Sequence, residues 1–169
     1  MNKIITHSHC IWQNITQRAN LLLEEPVGGL LLTYLTTTLE NYHTAVSLRT
    51  PEIIQWVNHQ QSQSIDIKTL ADSCLVSAGL FPQNSKNMAT AIPLTCHMGS
   101  TAYHTLYVRE HDILYQQISH DFIKLVDILL FIAAEKKDKP LFDQHEAYSI
   151  WTSTNSQYAK EIYSAYKKC

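Results

Sequence analysis

Nine histidines in 169 residues are the first feature that could carry chemistry, because imidazole is the commonest metal ligand and titrates near neutrality. His97, His104 and His111 are spaced by seven, so one continuous helix would carry them on one face. Successive members then stand about 10.5 Å apart at 1.5 Å per residue, too far for a single ion without ligands from a second helix. His120 with Asp121, and His145 with Glu146, make an alternative imidazole and carboxylate cluster if their helices pack antiparallel. Di-metal bundles carry a Glu-x-x-His pair on two helices, an arrangement this chain does not have. The HSHC segment at 7–10 has ligand-like density, yet such chain ends are commonly exposed polar segments. These spacings assign neither a metal site nor a cofactor.

Nucleophilic catalysis needs a nucleophile within hydrogen-bond reach of a base. Cys96 and His97 are adjacent, and neighbours on a helix diverge by about 100°, so they do not pair. No GxSxG elbow, Gly-rich phosphate loop or HExxH motif occurs, and no catalytic residue is assigned. Asp72 borders an apolar stripe, where a carboxylate without partners is costly, so it is expected to accept hydrogen bonds from a loop or from Tyr103. Tyr103, Tyr107 and Tyr115, and Tyr158, Tyr163 and Tyr166, offer apolar area with a polar tip. They suit a cleft or partner surface, although core and rim packing is the commoner role of such side chains. The binding residues expected are Asp72, Phe81, His97, Tyr103, His104 and Tyr107.

The elements that must position these residues read as helices. Only 4 glycines and 5 prolines occur, too few for a fold built on many tight turns. A first helix is expected from about Cys10 to Leu23, ended by the Glu-Glu-Pro at 24–26. Leu31, Leu35, Thr38, Tyr42 and Ala45 alternate steps of four and three along a second. Thr50-Pro51 starts a short one carrying Ile53, Ile54 and Val57. Asp66 or Ser64 caps the next, with Leu70, Cys74, Ser77 and Phe81 on one side. Gly79 is expected to end it in the left-handed conformation, with Pro82 barring continuation and Leu80 and Phe81 turned into the core.

A polar, mobile loop is then expected over 82–91, and a helix from about Met98 to Tyr107 whose Gly99 and Ala102 admit a neighbour closely. The strongest pattern is an unbroken helix from Ile113 to about Ala134 with two apolar edges, placing it at the centre. Pro140 opens a further helix, and Thr154 with Gln157 reads as a capping box for the last.

Three of these stretches, LADSCLVSAGLFPQNSKN, CHMGSTAYHTL and ISHDFIKLVDILL, occur in an order that resembles an uncharacterised bacterial family of helical proteins. The resemblance runs roughly from Pro26 to Leu130, through Asp72, Gly79, Phe81, Pro82, Gly99, Ala102 and Tyr103. Where that family shows paired aromatics, this chain has Cys96 and His97. What the resemblance implies is a single helical domain, with no activity or cofactor to transfer.

Length and composition bound the rest. A chain of this size with 45% hydrophobic residues builds one domain with a real core. A net charge of −2 argues against sequence-independent nucleic-acid binding, leaving Lys136, Lys137 and Lys139 as the only basic patch to consider. Polar residues interrupt the first eighteen positions and Lys124 with Asp127 interrupt the most apolar segment, so neither an export signal nor a membrane span is expected and a cytoplasmic protein is. The four cysteines form no CxxC pair. The expectation is an all-α single-domain bundle of six or seven helices, with residues 1–24 peripheral, acting as a non-enzymatic interaction or regulatory module for a protein partner or a second copy. The alternative is a helical enzyme, or a small-ligand or metal binder, with its pocket between Gly79–Pro82 and Cys96–His104.

Overall fold

The computed structural model describes residues 2–44, 66–135 and 137–168, the side chains of 2–8, 43 and 44 excepted. Eight α-helices form among the described residues, with no strand: α1 (Asn2–Asn20), α2 (Gly29–Thr44), α3 (Ile67–Leu80), α4 (Met88–Glu110), α5 (Ile113–His120), α6 (Phe122–Ala134), α7 (Gln144–Thr154) and α8 (Gln157–Lys168). The helix expected after Pro51 lies outside the described residues.

The apolar stripes find their partners around α3 and α6. Ala71–Val76, Ala78 and Gly79 of α3 are buried, as are Leu125–Leu130 of α6, and the two helices pack along each other with α4 beside them. α1 packs on α2 and α6, α5 on α4, and α7 joins α4 to α8. Leu31, Leu35 and Thr38 of α2 turn inward as their spacing requires. Within the stretch expected to be peripheral, Thr16, Ala19, Asn20 and Leu23 are buried.

The helix ends follow local chemistry. α1 ends at Asn20, earlier than the Glu-Glu-Pro suggested, because the buried Asn20 amide holds Val27 on both sides of its backbone. Oδ1 accepts from the Val27 N–H at 2.9 Å and Nδ2 donates to its carbonyl at 3.1 Å. Asp66 caps α3 by accepting from the Lys68 N–H. Asp112 caps α5, and Asp143 with Glu146 makes a reciprocal capping box at α7, so Pro140 precedes that helix rather than opening it. At α8 the cap is Ser156 instead of Thr154: its Oγ accepts from the Ala159 N–H at 3.1 Å.

Gly79 does not end α3. No glycine among the described residues has a positive φ, and the helix stops at Phe81, with φ −124°. Glycine is needed at 79 for contact: a Cβ there would stand 2.3 Å from the Cβ of Leu129, so its absence lets α3 and α6 touch. Gly99 does the same for α4, where a Cβ would meet the Phe122 ring at 2.3 Å and Cys74 at 2.9 Å. Leu80 packs against the core, but Phe81 is 48% exposed, and the buried residue of the stop is Pro82.

The loop expected over 82–91 is a 3-10 turn (Pro82–Asn84) and three further residues before α4, whose 23 residues begin ten positions before the expected start. Pro93 lies inside α4 and has no N–H for the Ala89 carbonyl four residues back. Ser149 of α7 reaches that carbonyl with its hydroxyl at 3.4 Å. The long central helix is two, divided at Asp121, where ψ rises to 17° while Asp121 N still donates to the Gln117 carbonyl and its own carbonyl accepts from Leu125 N. The bend lets Ser119 donate to the Ser100 carbonyl of α4 at 2.8 Å.

Candidate functional site

The most concentrated set of polar side chains in the interior centres on Asp72, in the second turn of α3. Tyr34 of α2 and Tyr103 of α4 both donate their phenol to Asp72 Oδ1 at 2.6 Å, and Lys68, one turn earlier on α3, donates to Oδ2 at 2.8 Å. Tyr103 is fully buried, its ring edge-on to Tyr34 at 6.0 Å, stacked against Tyr115 at 6.3 Å and beside Phe122 at 5.9 Å. The Lys68 ammonium lies 5.3 Å over the Tyr34 ring. On the next residue, Ser73 Oγ donates to the Thr69 carbonyl at 2.7 Å and accepts from the Tyr42 phenol at 2.5 Å. Two tyrosines of α2 and one of α4 are thereby tied to successive positions of α3.

Burial first, and then the charge of Asp72, pushes the phenols of Tyr34 and Tyr103 well above their ordinary range. Tyr42 is pushed up to about 12, again chiefly by burial. For Lys68 burial pulls downward, but its bond to Asp72 and the carboxylate charge outweigh it and hold the ammonium above its usual value. The phenols therefore stay protonated as donors and the lysine stays charged. A carboxylate whose two oxygens are held by three donors is suited to fixing helices together, and poorly suited to taking a proton from a substrate.

Of the residues expected to bind, Asp72 and Tyr103 meet in this cluster and the others lie outside it. His97 and His104 are exposed on the outer side of α4, and Tyr107 is half-buried one turn on, 6.1 Å from the His104 ring. Phe81 stands apart at the end of α3. His111 does not continue their line, because α4 ends at Glu110 and His111 takes the left-handed cap conformation, φ 55°. His120 bonds its own neighbour Asp121, while Glu146 is engaged in the α7 capping box. Among the described residues no group of three or more His, Cys, Asp or Glu side chains is placed to hold a metal ion. HSHC lies within α1, where His9 Nδ1 and Glu40 of α2 are 2.9 Å apart. Between Gly79 and Cys96–His104 the helices meet in side-chain contact: Leu129 fills the space at Gly79, and Phe122 and Cys74 that at Gly99.

Tyr34 and Lys68 were not anticipated. Lys68 is legible as the i,i+4 partner of Asp72. Tyr34 sits on the inward side of α2, but nothing local names a residue 38 positions away as its acceptor.

A second buried carboxylate, Asp127 of α6, holds the start of α8. It accepts from Ser156 Oγ at 2.5 Å and from the Gln157 N–H at 2.8 Å. Burial pushes it up to about 6, against the pull of those bonds. Gln157 in turn clasps the turn after α1, its Nε2 donating to the Leu22 carbonyl and its Oε1 accepting from Glu24 N.

A predominantly apolar groove of different character lies at the surface. It is about 330 Å³, runs between α1 and α6, and is lined by Ile15, Ala19, Leu22, Phe131, Ile132 and Ala134, together with the paired Arg18 and Glu135. No described helix is long and apolar enough to cross a membrane. Comparison with known protein families, with curated proteins and with solved structures finds no match for this chain.

Proposed function

We propose that this chain is a non-enzymatic helical interaction module that receives an apolar helix or strip of a protein partner in the groove between α1 and α6. The groove carries the reading: its walls are mostly aliphatic and aromatic, Leu22 is 57% exposed, and the charged residues lining it, Arg18 and Glu135, are paired with each other. The Asp72 cluster supports it indirectly, since a carboxylate already saturated by donors serves rigidity and leaves recognition to the surface. The resemblance over residues 26–130 to a family of helical proteins belongs to the same proposal, and so does action in the cytoplasm. A photo-crosslinking residue at Leu22 is expected to trap one discrete protein species in cells, and one at the exposed Gln116 of α5 to trap none. Equal labelling at both positions, or none at either, would overturn the reading.

A further inference from the structure

Asp127 lines an open cleft of about 470 Å³ between α6, the turn after α1 and the junction of α7 with α8, together with Leu23, Glu24, Ile123, Asn155 and Gln157. The residue is only 2% exposed, and its two oxygens accept from the Ser156 hydroxyl and the Gln157 N–H, the cap and the first residue of α8. The Gln157 side chain continues the line outward, holding the Leu22 carbonyl at 3.0 Å and the Glu24 N–H at 2.7 Å. One carboxyl group therefore ties α8 to α6 and, through Gln157, to the turn after α1. The outer bonds of this clasp are at exposed positions, where water can replace them, so this edge is the side that opens most easily.

The cations around Asp127 are engaged elsewhere. Lys124 pairs with Glu25 and Asp121, His120 at the end of α5 with Asp121, Lys160 of α8 with Glu24, and Arg18 of α1 with Glu135. Glu161 of α8 adds negative charge, and from α4 the Cys96 thiol, itself beside Cys74 of α3, is pushed up to about 12 by burial and stays neutral. A buried carboxylate with no cation is more costly ionised than neutral, and burial accordingly pushes Asp127 up to about 6. Opening the start of α8 admits cleft water to the carboxyl and returns it toward its ordinary 3.8. The closed edge thus binds the proton more tightly than the open one, so closure is strongest in acid and weakens as pH rises through about 6.

We propose that Asp127 is a proton-operated latch: with its carboxyl protonated the start of α8 stays closed on the turn after α1, and its ionisation loosens that edge toward the cleft while the rest of the core stays folded.

Amide hydrogen exchange of the full chain at pH 5 and pH 7.5, with intrinsic exchange rates divided out, tests this. The Gln157 and Glu24 amides of wild type are expected to lose about tenfold in protection between the two, the ratio that pKa values of 3.8 and about 6 give. They are also expected to be less protected than the buried Ile128 and Leu129 amides, which report unfolding of the whole chain. Asp127→Asn keeps acceptors for both donors but cannot ionise, and is expected to abolish the change. Gln157→Ala removes only the outer part of the clasp, so position 157 is expected to keep its pH dependence and Glu24 to lose it. Protection at Gln157 and Glu24 that ignores pH in wild type, or equals that of Ile128 and Leu129, would overturn the latch, as would a pH change at Glu24 that survives Gln157→Ala.

Discussion

The phenol of Tyr103 donates to Asp72 Oδ1 at 2.6 Å from a fully buried position, joining α4 to α3 across 31 residues of chain. Asp72 is the shared acceptor of this bond and of those from Tyr34 and Lys68. Asp72→Asn is expected to destabilise the fold by about 2–4 kcal/mol, because it removes a charge to which three donors are directed. Tyr103→Phe is expected to lose about 1–2 kcal/mol. Urea unfolding of both and of the double variant checks this, with a coupling near zero counting against a direct interaction.

Gly79→Ala separates helix propensity from packing by sign. Propensity alone would have alanine stabilise a helix interior by about 1 kcal/mol. The added Cβ, however, would stand 2.3 Å from the Cβ of Leu129, which no rotamer change can relieve. We expect a net loss of about 1–3 kcal/mol from forcing α3 and α6 apart. A thermal midpoint above that of wild type would refute it.

The pH profile of stability has two windows. Asp127 goes from 3.8 to about 6 on folding, so between roughly these values the folded chain holds a proton that the unfolded chain has released. Its contribution is full below pH 3.8, falls as pH rises and is lost above about 6. The slope of stability against pH in that window should therefore be more negative in wild type than in Asp127→Asn. At the alkaline end Tyr34, Tyr42 and Tyr103 are all raised above 10.0, Tyr42 to about 12. Stability is expected to hold below pH 10 and to fall as pH climbs past it, with part of the phenolate absorbance appearing only as the chain unfolds.

The thiols should divide by burial. Cys74 and Cys96 are buried and burial pushes each up to about 12, whereas Cys10 is exposed on α1. Brief treatment of native protein with a thiol-specific reagent near pH 8, followed by peptide mapping, is expected to modify Cys10 and to spare Cys74 and Cys96 until denaturant is added. Modification of either buried thiol at the rate of Cys10 would contradict the packing of α3 against α4.

Much of the helical order can be read from local spacing and capping chemistry. The inward stripe of α2, the Asp66 cap and the apolar edges of α6 need only the helical period and side chains within one turn. Boundaries proved less legible where a distant group supplies the missing bond. α1 stops where Asn20 clasps Val27, α4 runs through Pro93 with Ser149 at the freed carbonyl, and α8 begins where Asp127 meets Gln157.

The roles of individual residues divide in the same way. Composition and periodicity were enough to determine an all-helical chain, and the cost of burying a carboxylate was enough to require donors for Asp72, with Tyr103 among the candidates. Only the tertiary structure decided that Tyr34 completes that set, that Gly79 serves contact with Leu129 rather than a left-handed turn, and that His97 and His104 face outward. The physical reason is range: period and capping act within a turn or two, whereas the partner of a buried polar group, or of a missing Cβ, is chosen by which helices the whole core brings side by side.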